Sequence, residues 1–489
     1  MLVDALVAST NRSPSSPAVA DPRMRLSYGR LATLAMVLRG VIVDQTRRDR
    51  VGIMLPASAG FAATVFGALW CRKTAVPLNF LLSVAELRKI VLDAELDLIL
   101  SIHHFDELLA QLPVRSLALE DIGLKRKILF SLLRRRPATP DVRPDELAVL
   151  LYTSGTDGDP KGVELTYANL RSNCDDCIAT ARMTPEHRFL NMLPPFHVFG
   201  LTANVLVPVV LGASVYCLPR FQPVAVVEAV AREKPSILMA IPSMYAALLR
   251  MKTVPADTYS GLYLAISGGE PLPESVAAGF RERFGVELLQ GYGLSETSPV
   301  VSLSLPDGNR PGAVGRPIRN IQIRIADDLG RELPPGSDGE ILVKGPGVMK
   351  GYHNRQYLTA QVMADGWFRT GDIGRLDAEG FLWITGRKKE MLIVGGENVF
   401  PREIENVLLE HPAVAEAAVI GEPDPLRGEV SVAFVVCREG ATATESDLRG
   451  FAREHLAGHK VPRTIRIVPD LPRGPTGKVL KRSLRGEPR

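Results

Sequence analysis

The chain has 489 residues, 46% of them apolar and 23% charged, the balance of an ordinary soluble globular protein. That length exceeds what one hydrophobic core serves, so roughly two to four domains or subdomains are expected. A net charge of +4 is too weak to imply a nucleic-acid surface.

Residues 1–20 lack the basic start and apolar run of a secretory leader. The best apolar stretch, Leu201 to Cys217, is short and interrupted by Asn204, so no bilayer span is expected. Both features predict a cytoplasmic protein. Five cysteines, an odd number in a large chain, predict reduced thiols. Cys174 and Cys177 form C-x-x-C, but Asp175 and Asp176 lie between them and no second pair stands at metal spacing. Two thiols packed on a helix is the expected reading.

Over the first ~300 residues, short apolar runs alternate with helical patterns. Strands are expected at Val51–Pro56, Ala75–Leu78, Leu96–Ser101, Leu147–Tyr152, Ser214–Leu218, Ile237–Ile241 and Leu262–Ser267. Helices are expected between them, as at Phe61–Trp70 and Val224–Arg232. This alternation predicts α/β layers with largely parallel sheets, with ligands in loops beyond the carboxyl ends of strands. One segment, Gly123–Arg136, interleaves Leu124, Ile128, Leu129, Leu132 and Leu133 with six basic residues. A helix with a solvated basic face is one reading, and a peripheral helix on anionic lipid is the other.

From about 312 to 387 the texture changes to short alternating strands, Ile321–Ile325, Glu340–Val343 and Phe381–Ile384, separated by Gly, Pro and Asp turns. A small antiparallel β subdomain is expected there. The rest reads as a compact α+β domain. Pro401–Glu410 is an amphipathic helix with Pro at its start, Val414–Ile420 and Val430–Val436 are strands, Ser446 is placed to cap a helix, and Thr464–Val468 is a last strand.

Four segments carry chemistry. YTSGTDGDPKGV, Tyr152 to Val163, follows an apolar strand and packs hydroxyls, glycines and Lys161 into one loop. Glycines let backbone N–H groups approach phosphate oxygens, Thr153, Ser154 and Thr156 add donors, and Lys161 adds a charge. It is not a Walker A loop. GYGLSET, Gly291 to Thr297, offers the Tyr292 ring to a nucleobase and the Glu296 carboxylate to Mg²⁺. Asp372 and Arg387, in WFRTGD and ITGR, suit ribose hydroxyls or a structural salt bridge equally. Finally LPRGPTGK places Lys478 on an irregular segment able to reach across a cleft.

In this order and spacing the motifs resemble the adenylate-forming superfamily, which includes acyl-CoA synthetases, peptide-synthetase adenylation domains and firefly-type luciferases. The resemblance covers nearly the whole chain. It implies a large N-terminal domain of layered α/β subdomains plus a small β subdomain, 1–388, and a small mobile α+β domain, 389–489. It implies ATP, Mg²⁺ and a thiol, coenzyme A or a carrier phosphopantetheine. Residue by residue, it implies a phosphate loop of Thr153, Ser154, Gly155, Thr156, Gly158 and Lys161. Gly268, Gly269, Glu270, Tyr292 and Gly293 would form the adenine site. Glu296 would ligate Mg²⁺, Thr297 would contact the α-phosphate, and Asp372 and Arg387 would hold the ribose. Lys389 would be the hinge, and Lys478 would bridge carboxylate and α-phosphate. His197 in PPFHVFG would line the acyl pocket, and Gly395 to Asn398 would swing in for thioester formation.

Two positions depart from the family pattern. Asp157 stands where the loop usually has threonine, and a carboxylate beside a triphosphate repels it unless it faces away or shares the Mg²⁺. Gly474 stands where a polar residue is usual. The expected reaction is activation of a carboxylic acid, a medium- or long-chain fatty acid first, to an acyl-adenylate and then a CoA thioester. An aromatic-acid ligase, a carrier-protein ligase and a non-catalytic nucleotide-binding homologue weakened by Asp157 are the alternatives.

Overall fold

The computed structural model describes residues 1–124, 126–128, 138–154, 159–438, 440–473 and 479–484. Among them, two large sheets form the body. One has seven strands, with Arg50–Ile53, Thr74–Pro77, Leu98–Ser101 and Arg115–Ala118 parallel to one another and Leu147–Ser154 parallel beside them. The other has nine, and its parallel part includes Arg188–Asn191, Ser214–Cys217, Ile237–Ala240, Leu264–Ser267 and Leu288–Gly293. Each apolar run expected as a strand is one, within a few residues. The reason is coverage: Leu98–Ser101, Ile237–Ala240 and Leu264–Ser267 are buried along their whole length, as befits parallel strands with helices on both faces.

The helices follow from capping and apolar spacing. Ala59–Trp70 is buried at nearly every position, and Ser58 Oγ accepts from the Phe61 N–H at 3.1 Å. Pro223–Glu233 opens on proline, which has no N–H to leave unsatisfied. Cys174 and Cys177 are both buried on Tyr167–Thr180, as expected, and burial pushes the Cys177 thiol up to about 12.

The antiparallel β subdomain is present, built from Gln322–Ala326, Gly339–Lys344, Met363–Ala364, Trp367–Leu376 and Leu382–Arg387. It does not hold every residue of the window 312–387. Arg316–Pro317 pairs with Val300–Leu303 in the nine-stranded sheet, and Gly351–Tyr352 pairs with Pro160–Thr166 in the seven-stranded one. The second excursion lays Tyr352 beside the Lys161 strand.

The C-terminal part is an α+β unit with a five-stranded sheet. Ile404, Leu408, Leu448 and Ala452 pack with Val419 and Val435, while Ala418, Ile420, Val432 and Phe434 pack with Leu471. The alternation along Val414–Asp424 and Gly428–Cys437 feeds both clusters, which a period of two requires. The helix after this pair begins one turn-position earlier than expected. Thr444, not Ser446, is the cap of Glu445–His455: its Oγ accepts from the Asp447 N–H, and Asp447 accepts in return from the Thr444 N–H. Ser446 lies inside the first turn, and the reciprocal Thr–Asp pair wins because it satisfies two free donors at once.

Most of the 123–136 segment lies outside the described residues. Of those described, Leu124 and Ile128 are half-buried against the main core. No helix among the described residues is long and apolar enough to cross a membrane.

Candidate active site

The loop around Lys161 is the tip of a hairpin. Leu147–Ser154 runs antiparallel to Pro160–Thr166, with Thr153 opposite Lys161. Gly155, Thr156, Asp157 and Gly158 lie outside the described residues, as does the Ser154 side chain. Lys161 Nζ sits 5.9 Å from the centre of the Tyr352 ring. The Tyr352 hydroxyl donates to Glu296 Oε1 at 2.7 Å. Burial, and then the Glu296 carboxylate, push that phenol far above its ordinary value, so it stays a donor and leaves the other oxygen of Glu296 available.

Tyr292 arrives at the end of Leu288–Gly293, and its hydroxyl donates to Asp372 Oδ2 at 2.7 Å. Asp372 and Arg387 are cross-strand neighbours, and Arg387 Nε donates to Asp372 Oδ1 at 2.7 Å. The carboxylate is therefore fixed from two sides with lone pairs to spare. Burial first, then Asp372, raises the Tyr292 phenol well above its usual value. Gly293 is needed where the chain turns back: a Cβ there would lie 2.0 Å from the Pro299 carbonyl oxygen.

Thr297 takes a different place from the one expected. Its side chain is fully buried, and its hydroxyl donates to the Pro299 carbonyl at 2.5 Å and accepts from the Leu294 N–H at 3.0 Å. It braces the turn from behind. Ser295, two residues earlier, faces the cavity instead. The motif carries two hydroxyls, and sequence alone does not say which side of the turn each takes.

His197 is set by an aromatic series: its ring is 4.9 Å from Phe196, which meets Phe80 edge-on at 5.0 Å. Gly200, three residues later, approaches its own loop so closely that a Cβ would lie 2.2 Å from the Pro194 carbonyl oxygen. The same segment continues as a π-helix, Phe199–Leu206, a form found mostly at functional sites.

These residues share one cavity of about 1270 Å³. Thr153, Lys161, Gly268, Gly269, Glu270 and Gly293 line it, together with Tyr292, Glu296, Asp372, Arg387 and His197. Cys177, Met183, Ala203, Val207, Leu303 and Val314, all members of the main core, line it as well. On the far side the wall is the C-terminal unit, with Arg402, Glu405, Leu471, Arg473 and Lys481. Lys478 lies outside the described residues. Its flanks, Arg473 and Val479, form an antiparallel bridge and both line the cavity. Gly395 to Asn398 form an exposed turn away from it. Lys389, in the turn Lys388–Glu390, also lines the cavity. Burial, Arg387 and Lys161 lower its pKa.

Two further residues gave no sequence signal. Lys481 donates to Glu405 at 2.7 Å and to Glu390 at 3.2 Å, tying the last segment to the turn at 388–390. Tyr352 orients Glu296 from 56 residues away.

The chain that builds this cavity is matched by known proteins. The model for "AMP-binding enzyme" matches residues 6–353, and that for the "AMP-binding enzyme C-terminal domain" matches 403–478.

The chain belongs to the AMP-binding enzyme family.

Within it the relatives are acid–CoA ligases. A long-chain-fatty-acid–CoA ligase of Bacillus subtilis is 34% identical, over 98% of this chain and 93% of the relative. A feruloyl-CoA synthase of Amycolatopsis is 34% identical, over 98% and 97%. ATP-bound MatB from Rhodopseudomonas palustris superposes with a TM-score of 0.91 at 32% identity, over 99% and 98% of the two chains. ATP, Mg²⁺ and coenzyme A are the cofactor set of this family of ligases. The donor set fits Mg²⁺. Glu296 presents a carboxylate to the cavity, and among the described residues no cluster of three or more His, Cys, Asp or Glu forms a cage. Mg²⁺ is commonly held by one or two carboxylates with the rest from phosphate and water.

Proposed function

We propose that this chain joins a medium- or long-chain fatty acid to coenzyme A through an acyl-adenylate. The apolar part of the cavity lining carries this reading. A lining that includes Cys177, Met183, Val207, Leu303 and Val314 suits an alkyl chain, which gains about 0.8 kcal/mol per buried CH₂.

In the first half-reaction a carboxylate oxygen attacks the α-phosphorus of ATP, and pyrophosphate leaves in line. The protein's task is to position the two and to neutralise charge. Lys161 offsets the departing phosphates. Asp372, held by Tyr292 and Arg387, accepts from the ribose hydroxyls. Ser295, on the cavity side of its turn, donates to the α-phosphate. Lys478 bridges the α-phosphate and the carboxylate. Glu296 holds Mg²⁺, which when bound neutralises phosphate charge. In the second half-reaction the thiol attacks the acyl carbon, AMP leaves, and a proton is released from sulfur. We place the boundary between body and tail at Lys389, about which the tail rotates to withdraw Lys478 and bring Gly395 to Asn398 to the cleft. Coenzyme A is the acceptor; a carrier phosphopantetheine presents the same thiol.

One observation favours a second acid class. The Thr202 hydroxyl is buried on the cavity wall with no hydrogen-bond partner, which would suit an acid bearing a polar substituent, such as a hydroxylated aromatic acid. Pyrophosphate release with a graded panel of acids decides. Release that climbs with alkyl length from about C8 upward supports the fatty-acid reading. A maximum with hydroxycinnamic acids replaces it with the second. No release with any acid makes the chain a non-catalytic homologue.

A further inference from the structure

The cleft wall of the C-terminal unit contains a cation that the proposed reaction does not use. Arg402 is the second residue of the helix Pro401–Glu410 and lines the cavity. Its Nε is buried without a hydrogen-bond partner. Two other cations of the cavity lining are neutralised: Arg387 by Asp372, and Lys481 by Glu405 and Glu390. Asp372, Glu405 and Glu390 are the carboxylates that Arg402 senses, and each is held by one of those two partners. Among the described residues Arg402 has no ion pair of its own.

Its position adds to the imbalance. A cation in the first turn of a helix opposes the positive end of the helix dipole. Phe400, at the cap, has no side-chain cap bond. The Phe400 ring presses on the hairpin that carries Asp372 and Arg387, so tightly that a Cβ at Gly386 would meet it at 2.7 Å. The helix start is thus held against the ribose side of the site. A buried guanidinium and a helix N-terminus in one place both call for an anion.

We propose that Arg402 is the tail's anchor for the α-phosphate of the nucleotide, so that a nucleotide, and not a nucleoside, draws this helix onto the cleft. This rests on the ATP reading above. The α-phosphate is the phosphate adjoining the ribose, whereas Lys161, on the phosphate hairpin, serves the distal ones. An α-phosphate also remains after pyrophosphate leaves, so the anchor holds through formation of the adenylate.

Calorimetric titration of the full chain with AMP and with adenosine tests it, using wild type, Arg402→Ala and Arg402→Lys. Losing a hydrogen-bonded charge partner should weaken AMP about tenfold in Arg402→Ala. Adenosine affinity should stay unchanged, and Arg402→Lys should recover part of the AMP loss. The unliganded melting temperature should not fall, since an unpaired buried charge is removed. Unchanged AMP affinity would overturn the assignment, as would equal weakening of AMP and adenosine. Weakening of ATP alone would move the guanidinium to the distal phosphates and also overturn it. Wild type that binds neither AMP nor ATP would instead sink the adenylation reading itself.

Discussion

Tyr352 and Glu296 come from distant parts of the chain and meet in one 2.7 Å hydrogen bond. Where Glu296 holds Mg²⁺ as proposed, a neutral donor on its carboxylate would orient it, and such partners are worth about 10- to 100-fold in affinity. Tyr352→Phe should therefore raise the Mg²⁺ needed for half-maximal pyrophosphate release by about tenfold and leave the KM of the acid alone. The two hydroxyls of GYGLSET divide in the same way. Ser295→Ala should lower the adenylation rate by roughly a hundredfold with no change in melting temperature. Thr297→Ala should instead cost about 1–3 kcal/mol of stability in denaturant titration, because a buried hydroxyl with backbone partners is lost. At this scale the sequence was legible in bringing Asp372 and Arg387 together, and the ion pair between them was one of the two uses it allowed. It was not legible where the side of a turn decides, as at Ser295 and Thr297, or where the partner is remote, as at Tyr352.

At the scale of elements, the strand runs were readable because parallel strands covered on both faces must be apolar throughout. The cap at Thr444 was missed because threonine and serine stand close together and the reciprocal bond to Asp447 becomes visible with the helix register. Elements are also pinned by titratable contacts. His187 precedes Arg188–Asn191; its Nδ1 is hydrogen-bonded with the Ser236 hydroxyl at 3.0 Å, and its ring stacks on Tyr263 at 4.7 Å. Burial lowers its pKa below the usual histidine value. The folded state thus resists protonation more than the unfolded chain does. This contribution is full above about pH 6.5 and is lost as pH falls through the folded pKa. Melting temperature should decline from about pH 7.5 to pH 5.5, and His187→Phe should flatten that slope. An unchanged slope would remove His187 as its source.

At the scale of the molecule, the cavity belongs to neither unit alone. Body and tail both line it, and Arg473 and Val479, which flank the stretch containing Lys478 in sequence, pair with each other on its wall. Lys478→Ala should abolish acyl-adenylate formation yet spare thioester formation from supplied acyl-adenylate. Equal loss of both half-reactions would remove the assigned role. Sequence spacing could order the motifs along the chain, but the apolar lining of the cavity depends on how Tyr167–Thr180 and Phe199–Leu206 pack together, which no local pattern encodes.

The turn Lys388–Glu390 joins the last strand of the β subdomain to the first strand of the C-terminal sheet. On the proposed mechanism this turn is the pivot, and its contacts would make it a timing element. A mixed anhydride would survive in water only while the tail stayed down, so the dwell of the tail would have to outlast the chemistry and its swing to outrun hydrolysis. Lys389, in this turn, feels the positive charges of Arg387 and Lys161. A triphosphate in the cleft would quench that crowding of positive charge, and departure of pyrophosphate would restore it. The discharged product would thereby set the clock for the next stroke.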